Sequence, residues 1–422
     1  MRVAFFVYEY PPTIVGGLGT YAAYITHTYV RQGHEVVVFT MNPGGALKKH
    51  EVIGGVEVHR PVGIDATNVF PLMVNEELRQ WGSFFNDVFI YNTLCASKFV
   101  NQVIQEEGGH FDVVAVHDWL SAIAGLVVRN ETDLPVVYHV HSTEWGRRGD
   151  AGSPFVNRLE WEMALQATRI ITVSHAMKDD LNRHGWSPRK ISVVWNGVDP
   201  EVYDTASVPK AELQDLRACY GVGPDEPMLL FVGRLTWVKG VRNLIQAMPA
   251  VVEAYPKAKL VILGKGEEQH DVDELIHRLG LGQHVVTHYA FVSERERIAH
   301  YAASDACVFP SVYEPFGIVS LEAMAMGKPL VVGANGVVGF REQVTPTGTD
   351  QNGVHVNGND PGDIAWGIKT LLADPARARE MGAHGRARVQ RYFTWEQVAK
   401  QTAEVYEHVV AEGEGENVKR GT

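Results

Sequence analysis

The feature that most restricts this chain is a rhythm. Short, continuous apolar runs alternate with helix-patterned segments, and the series starts twice. Arg2–Val7 opens it, with no polar residue between Val3 and Val7. A strand that alternates apolar and polar residues buries one face. A run like this one buries both, as the inner strands of a parallel sheet require. A turn with Gly16, Gly17 and Gly19 follows, then a helical pattern over Tyr21–Arg31 that stops at Gly33. Further runs at Glu35–Thr40, Asp112–Val116, Pro135–Val140, Ile170–Ser174 and Ile191–Val194, with a weaker one at Val56–Arg60, continue the series. A polar stretch, Asp199–Lys210, interrupts it. A second series begins at Met228–Val232 and runs through Lys259–Leu263, Val285–His288, Ala306–Phe309, Pro329–Val332 and Gly353–Val356.

This alternation predicts an α/β protein of two doubly wound, Rossmann-like domains, residues 1–199 and 200–394. The helix-patterned segment 395–410 is expected to pack back on the first domain, and the Gly- and charge-rich tail 411–422 to fray. A chain of 422 residues is long enough for each domain to bury its own core. Open parallel sheets bind ligands at the carboxyl ends of their strands. Two such domains facing each other make one cleft.

Composition removes several classes. A formal net charge of -12 argues against a broad nucleic-acid or anionic-membrane surface, although it leaves room for a small basic pocket. Cys95, Cys219 and Cys307 are far apart and form no CxxC, which fits a reducing compartment better than a disulfide framework. No run of ~18 apolar residues is present, and the opening apolar stretch ends too soon for a signal peptide. The expectation is a cytoplasmic protein without an integral membrane segment. Oligomeric state is not set by these features.

Five places can carry chemistry. Gly16-Gly17-Leu18-Gly19, between the first strand and its helix, reads either as a turn that lets backbone N–H groups approach a phosphate or sugar, or as a plain tight turn. Arg234 and Lys239, in the equivalent turn of the second series, suit a diphosphate or form a solvated basic loop. Glu314 and Glu322 flank the start of a helix predicted over 317–326, where free N–H groups and the positive end of the dipole attract anions. His117-Asp118-Trp119 and His139-Val140-His141-Ser142-Thr143-Glu144 both follow strands, and His, Asp and Trp together suit a carbohydrate. Asp271-Val272-Asp273 is formally DxD but reads as the first turn of a helix, where acids are favoured by the dipole. HExxH, CxxC and GxSxG are all missing.

Together these residues resemble the family 4 retaining glycosyltransferases of GT-B fold. The resemblance spans nearly the whole chain, from Glu9-Tyr10-Pro11-Pro12 to Phe393-Thr394-Trp395. Its most specific element is E-x7-E, met by Glu314 and Glu322; Asn196-Gly197-Val198-Asp199 and the Arg234…Lys239 spacing add to it. Within the family the motifs look most like prokaryotic glycogen or α-glucan synthases. The resemblance implies transfer of a hexose, glucose, from a nucleotide-diphosphate sugar such as ADP-glucose or UDP-glucose to a carbohydrate acceptor, with no metal and no other cofactor.

By that resemblance Arg234 and Lys239 grip the diphosphate, and Glu314 binds the donor sugar. Phe316, Gly317 and Ile318 present backbone groups, and Glu322 holds the ribose hydroxyls. Gly16, Gly17 and Leu18 form the donor loop, His141 and Asn196 lie near the reacting carbon, and Asp118 and Trp119 face the acceptor. Bacterial glycogen synthases carry a Lys two residues before Gly-Gly, where this chain has Ile14. Other readings are a lipid, sugar-phosphate or surface-polysaccharide acceptor, a non-catalytic glycan or sugar-nucleotide binder, and an epimerase of the same architecture.

Overall fold

A computed structural model describes residues 1–63, 83–290 and 292–420, with side chains up to 413. The chain divides into two compact units. Unit 1 is Met1–Val173, Lys178–Trp195 and Trp395–Thr422; unit 2 is Ser174–Met177 and Asn196–Thr394.

Unit 1 is built on a sheet of β1 (Arg2–Phe6), β2 (Glu35–Phe39), β3 (His50–Ile53), β4 (Val56–His59), β5 (Val113–His117), β6 (Val136–Val140), β7 (Arg169–Thr172) and β8 (Ile191–Val193), in the order β3-β4-β2-β1-β5-β6-β7-β8. Every pairing is parallel except β3 with β4. β1 lies between β2 and β5, so Val3–Phe6 are buried on both faces, which is why the sequence there has no alternation. β3 is a strand with no apolar run to announce it. His50-Glu51-Val52-Ile53 pairs only with β4, at the edge of the sheet. Gly54 and Gly55, at φ 56° and 86°, close the two-residue turn between them.

Helix Gly17–Arg31 begins four residues before the predicted Tyr21, and no side chain caps it. The helix at the C-terminus runs Trp395–Arg420, past the predicted end at 410. The expected frayed tail is therefore helical up to Arg420, while residues 421–422 lie outside the described ones. Arg169 holds Glu412 at 2.9 Å, beyond the expected helix end. At the other end, Trp395 stacks on Tyr24 at 5.4 Å between ring centroids and Arg31 meets Glu396 at 2.8 Å, docking this helix on unit 1.

Unit 2 carries β9 (Met228–Val232), β10 (Lys259–Leu263), β11 (Val285–His288), β12 (Ala306–Phe309), β13 (Leu330–Gly333) and β14 (Gly353–Val356), all parallel, in the order β11-β10-β9-β12-β13-β14. It begins at Asn196, earlier than the predicted break after Asp199. Val198 N donates to Phe393 O at 2.8 Å, which ties this segment to unit 2.

Strand order reverses between β1 and β5 in one sheet and between β9 and β12 in the other. The turns leaving those strands diverge there and leave room for a ligand. They contain the glycine turn, His117-Asp118, the Arg234–Lys239 turn and the segment from Pro310 to Gly317.

Candidate functional site

In unit 2 the turns after β9 and β12 lie against each other. Val312 N donates to Val238 O at 2.8 Å, and a Cβ on Gly240 would sit 2.2 Å from Pro310 O, so only glycine permits the approach. The Lys239 ammonium pairs with the Glu314 carboxylate, which also accepts from Ser311 Oγ at 3.4 Å. Two motifs 75 residues apart in sequence thus meet in one ion pair. Backbone bonds fix Glu314 in turn: its N–H donates to Val337 O at 2.9 Å and its carbonyl accepts from Gly339 at 2.7 Å. Arg234 is exposed, and among the described residues its guanidinium makes no hydrogen bond or ion pair.

Helix Ile318–Ala325 starts from Gly317, whose φ of 87° and whose Cβ position, 2.1 Å from Phe340 Cε1, both demand glycine. No side chain caps this helix and no acid lies in its first turn. Among the described residues, the N–H groups of Phe316, Gly317 and Ile318 have no acceptor. Such a helix start is a ready anion site. The Phe316 ring itself is buried. Asn196 is also buried, and among the described residues its Oδ1 has no partner, which leaves it as an open acceptor.

Glu322 lies buried within helix Ile318–Ala325. Its Oε1 accepts from Tyr203 OH at 2.8 Å and from Arg297 at 3.3 Å, and its Oε2 accepts from Tyr301 OH at 2.8 Å. The carboxylate that resemblance assigned to ribose is already inside a cage of donors. A ribose hydroxyl must share or displace one of them. Burial, and then the charge of Glu322, push both phenols well above their ordinary pKa, so they remain donors. Sequence reasoning missed Tyr203, Arg297 and Tyr301. The available signal was the spacing of Arg297 and Tyr301, four apart on helix Glu294–Ala303 and so on one face.

In unit 1 the glycine turn is organised by Glu9, which sequence reasoning did not single out as a site residue. Its Oε2 accepts from Val15 N at 3.0 Å and Gly16 N at 3.1 Å. A Cβ on Gly19 would come within 3.0 Å of Ile14 and 3.1 Å of Glu9, a tight fit in which Ile14 or Glu9 would have to yield by a few tenths of an ångström. Gly16 has ordinary extended backbone and open space where a Cβ would stand. The fold therefore gives no reason for glycine at 16. Gly17 and Leu18 begin the uncapped helix, and their N–H groups have no acceptor among the described residues.

At the ends of β5 and β6 three imidazoles lie side by side. His117 and His139 are 4.4 Å apart by ring centroids, and His117 and His141 are 5.8 Å apart. His117 Nδ1 meets Phe6 O at 3.0 Å, and His139 Nε2 meets Tyr406 OH at 2.7 Å. His141 packs against Tyr21 with ring centroids 4.5 Å apart, and its Nε2 is buried with no partner among the described residues. Burial holds all three below the usual imidazole pKa, so they are neutral. Their nitrogens lie within 4.8 Å of one another, close enough to consider a metal. The rings are nearly parallel, however, at 24° and 15°, and the buried His117 and His139 have no room to turn their in-plane lone pairs onto a shared point; His139 Nε2 is also bonded to Tyr406.

Asp118, expected to face the acceptor, lies just past the end of β5. Its side chain is buried, and Oδ1 accepts from His141 N at 2.7 Å and Ser142 N at 3.4 Å. At φ 53° it holds a backbone conformation unusual for a residue other than glycine. What it touches is the backbone of His141, so it positions that residue. Trp119 is 4% exposed, its ring edge-on to Phe84 at 6.2 Å, and as placed it offers no open face for a sugar to stack on. The DxD pair is engaged locally: Asp271 meets Arg242 at 3.2 Å and Asp273 accepts from Tyr289 OH at 2.6 Å, both within or beside helix Gln269–Arg278.

Comparison with known proteins fits this geometry. The family model described as Glycosyltransferase Family 4 matches residues 15–202, and that described as Glycosyl transferases group 1 matches 214–388. An uncharacterised glycosyltransferase of Methanocaldococcus jannaschii is 34% identical over 96% of this chain and 98% of its own. A glycogen synthase of Mycobacterium tuberculosis is 32% identical over 96% of this chain and 94% of its own. Among solved structures, a sucrose-phosphate synthase from Thermosynechococcus elongatus superposes with a TM-score of 0.78 at 24% identity, covering 97% of this chain and 99% of that one, which speaks to the fold. With two Rossmann-like α/β units, both family models and relatives matched end to end, the chain belongs to the family 4, group 1 glycosyltransferases of GT-B fold.

Proposed function

We propose that this glycosyltransferase is a retaining, metal-independent hexosyltransferase that moves glucose from a nucleotide-diphosphate sugar such as ADP-glucose or UDP-glucose to an α-glucan. The observation that carries this reading is the state of the charges in unit 2. Among the described residues Arg234 is exposed and unpaired, Lys239 is held by Glu314, and the next helix opens with free N–H groups. A pyrophosphate leaving group gathers negative charge as its bond to the anomeric carbon lengthens. One free guanidinium, one shared ammonium and a helix start are groups that stabilise such charge more in the transition state than in the ground state.

In this reading the bond between the anomeric carbon and the diphosphate oxygen breaks, and an acceptor hydroxyl bonds to the same face of the sugar. The hydroxyl proton passes to the departing phosphate oxygen. Glu314 is engaged with Lys239 and is not needed as a nucleophile. The same reading keeps Gly16, Gly17, Leu18 and His141 as the sugar- and phosphate-facing groups of unit 1, with Asn196, Phe316, Gly317 and Ile318 in unit 2. His141 is neutral and can form hydrogen bonds without adding charge.

Glucose and glucan are supported by the relative described as a glycogen synthase. One observation favours a second reading, in which the acceptor is a lipid, a sugar phosphate or a surface-polysaccharide precursor. Ile14 stands against Gly19 in the donor loop, so the cation expected there is replaced by an apolar side chain. Nucleotide release from ADP-glucose, UDP-glucose and GDP-mannose, with and without glycogen and in excess chelator, separates these cases. Glycogen-dependent release that survives the chelator, with an α-linked product by NMR, supports the first. Dependence on a divalent ion, or an inverted product, overturns it.

A further inference from the structure

The β3–β4 hairpin gathers three metal-ligating side chains on the outer edge of unit 1, away from the strand ends at the β1/β5 reversal. His50 and His59 are directly opposed in the antiparallel register, and Glu57, two residues before His59, shares its face. His50 Nε2 lies 3.1 Å and His59 Nε2 2.9 Å from the same oxygen, Glu57 Oε1. All three ligand atoms lie within 4.8 Å of one another. In a tetrahedral zinc site with bonds of about 2.0–2.1 Å, neighbouring ligand atoms are roughly 3.3 Å apart. Two of the three edges are already within a few tenths of an ångström of that.

The surroundings suit a bound ion. His59 is buried and fixes one ligand, while His50 is 55% exposed at its side chain and Glu57 34%. Water can therefore complete the coordination. The His50 ring is stacked on His59 at 4.6 Å and 16°, and its exposure lets it swing to aim its lone pair at an ion. Arg2 approaches the other carboxylate oxygen, Glu57 Oε2, at 3.7 Å, which leaves Oε1 for the metal. Two imidazoles and one carboxylate form a borderline donor set that suits zinc-class ions better than calcium or magnesium.

We propose that the β3–β4 hairpin is a binding site for a divalent transition-metal ion of the zinc class, held by His50, Glu57 and His59 with water in the remaining position. The site uses none of the residues of the diphosphate grip and stands independently of the proposed reaction. The test is calorimetric titration of the full chain, with any affinity tag removed, with Zn2+ alone. Co2+ is used in parallel so that visible absorption reports coordination number. The expected result is one ion per chain and the intense visible bands of four-coordinate Co2+. His50→Ala, on an exposed edge strand, and Glu57→Gln should each weaken Zn2+ binding at least tenfold with an unchanged circular-dichroism spectrum, while His141→Ala should leave binding intact. Absence of stoichiometric binding, unchanged affinity in His50→Ala, or loss confined to His141→Ala overturns the assignment.

Discussion

Arg234 and Lys239 are both assigned to the diphosphate, yet their surroundings predict different costs of removal. Lys239 is the charged partner of Glu314, whose side chain is only 10% exposed. In Lys239→Ala that carboxylate keeps only the distant hydroxyl of Ser311 at 3.4 Å. Leaving a desolvated charged group without its partner costs about 1–3 kcal/mol, less than the 3–5 of a fully buried pair, because Lys239 is itself 21% exposed. At about 2–4 °C per kcal/mol for a unit of 150–250 residues, unit 2 should melt roughly 2–12 °C lower. Arg234→Ala removes no partner and should shift melting by no more than about 2 °C. Both variants should lose ~10²–10³ in turnover. Differential scanning calorimetry beside nucleotide-release kinetics separates the two effects. The double variant Lys239→Ala/Glu314→Gln adds a check: it should recover most of the lost stability and none of the activity, since the stranded charge is gone. Equal destabilisation by both single variants, or wild-type turnover in Arg234→Ala, would refute the reasoning.

Two further tests follow from local geometry and charge. Gly16→Ala should melt like the wild type but lose about 10–10²-fold in kcat/KM, because nothing in the fold occupies its Cβ position, whereas Gly317→Ala should lose roughly 2–5 kcal/mol through its φ of 87° and its clash with Phe340, read by urea unfolding. His117, His139 and His141 are held below their usual pKa by burial, so below about pH 6.5 the unfolded chain binds more protons and stability falls as pH drops, by up to ~1.4 kcal/mol per pH unit for each ring. Glu160, pushed up to about 8 by burial, acts oppositely: its contribution is full below the ordinary 4.5 and is lost as pH rises to about 8. Urea unfolding should therefore show a stability maximum near pH 6.5, and Glu160→Gln should flatten the alkaline side; a maximum that stays above pH 8 in the wild type would contradict both assignments.

The repeated strand–helix rhythm was legible because inner parallel strands are buried on both faces and cannot be written with polar residues. β3 escaped for the converse reason: an edge strand pairing on one side tolerates His50 and Glu51. The positions of Lys239 and Glu314 were readable as motifs, but their pairing was not, since it depends on two turns meeting across the β9/β12 reversal. Asp118 shows the same limit in sharper form. The sequence shows an acid after a strand, and only the fold shows that its carboxylate turns back onto the N–H groups of the next strand's end. Glu322 was readable as an acid in a predicted helix, while the donors around it come from segments 119, 25 and 21 residues away.

A single device recurs in the two units. Helices starting at Pro154, Glu294, Pro361 and Pro375 are capped by the side chains of Ser153, Ser293, Asp360 and Asp374. The helices that start at Gly17 and Ile318 have neither a side-chain cap nor an acid in the first turn, a property the helix starting at Val241 shares. A missing cap costs about 1 kcal/mol, and the nearby acids are committed elsewhere: Glu9 to the N–H groups of Val15 and Gly16, Glu314 to Lys239. In both places an acid is bonded within the turn, and under the proposed function the helix start beyond it would be capped by an external anion. An anion bound there supplies the absent acceptor and meets the positive end of the dipole at once. Under the proposed function, a charged donor bound at either helix start would supply about the stability that a side-chain cap gives elsewhere.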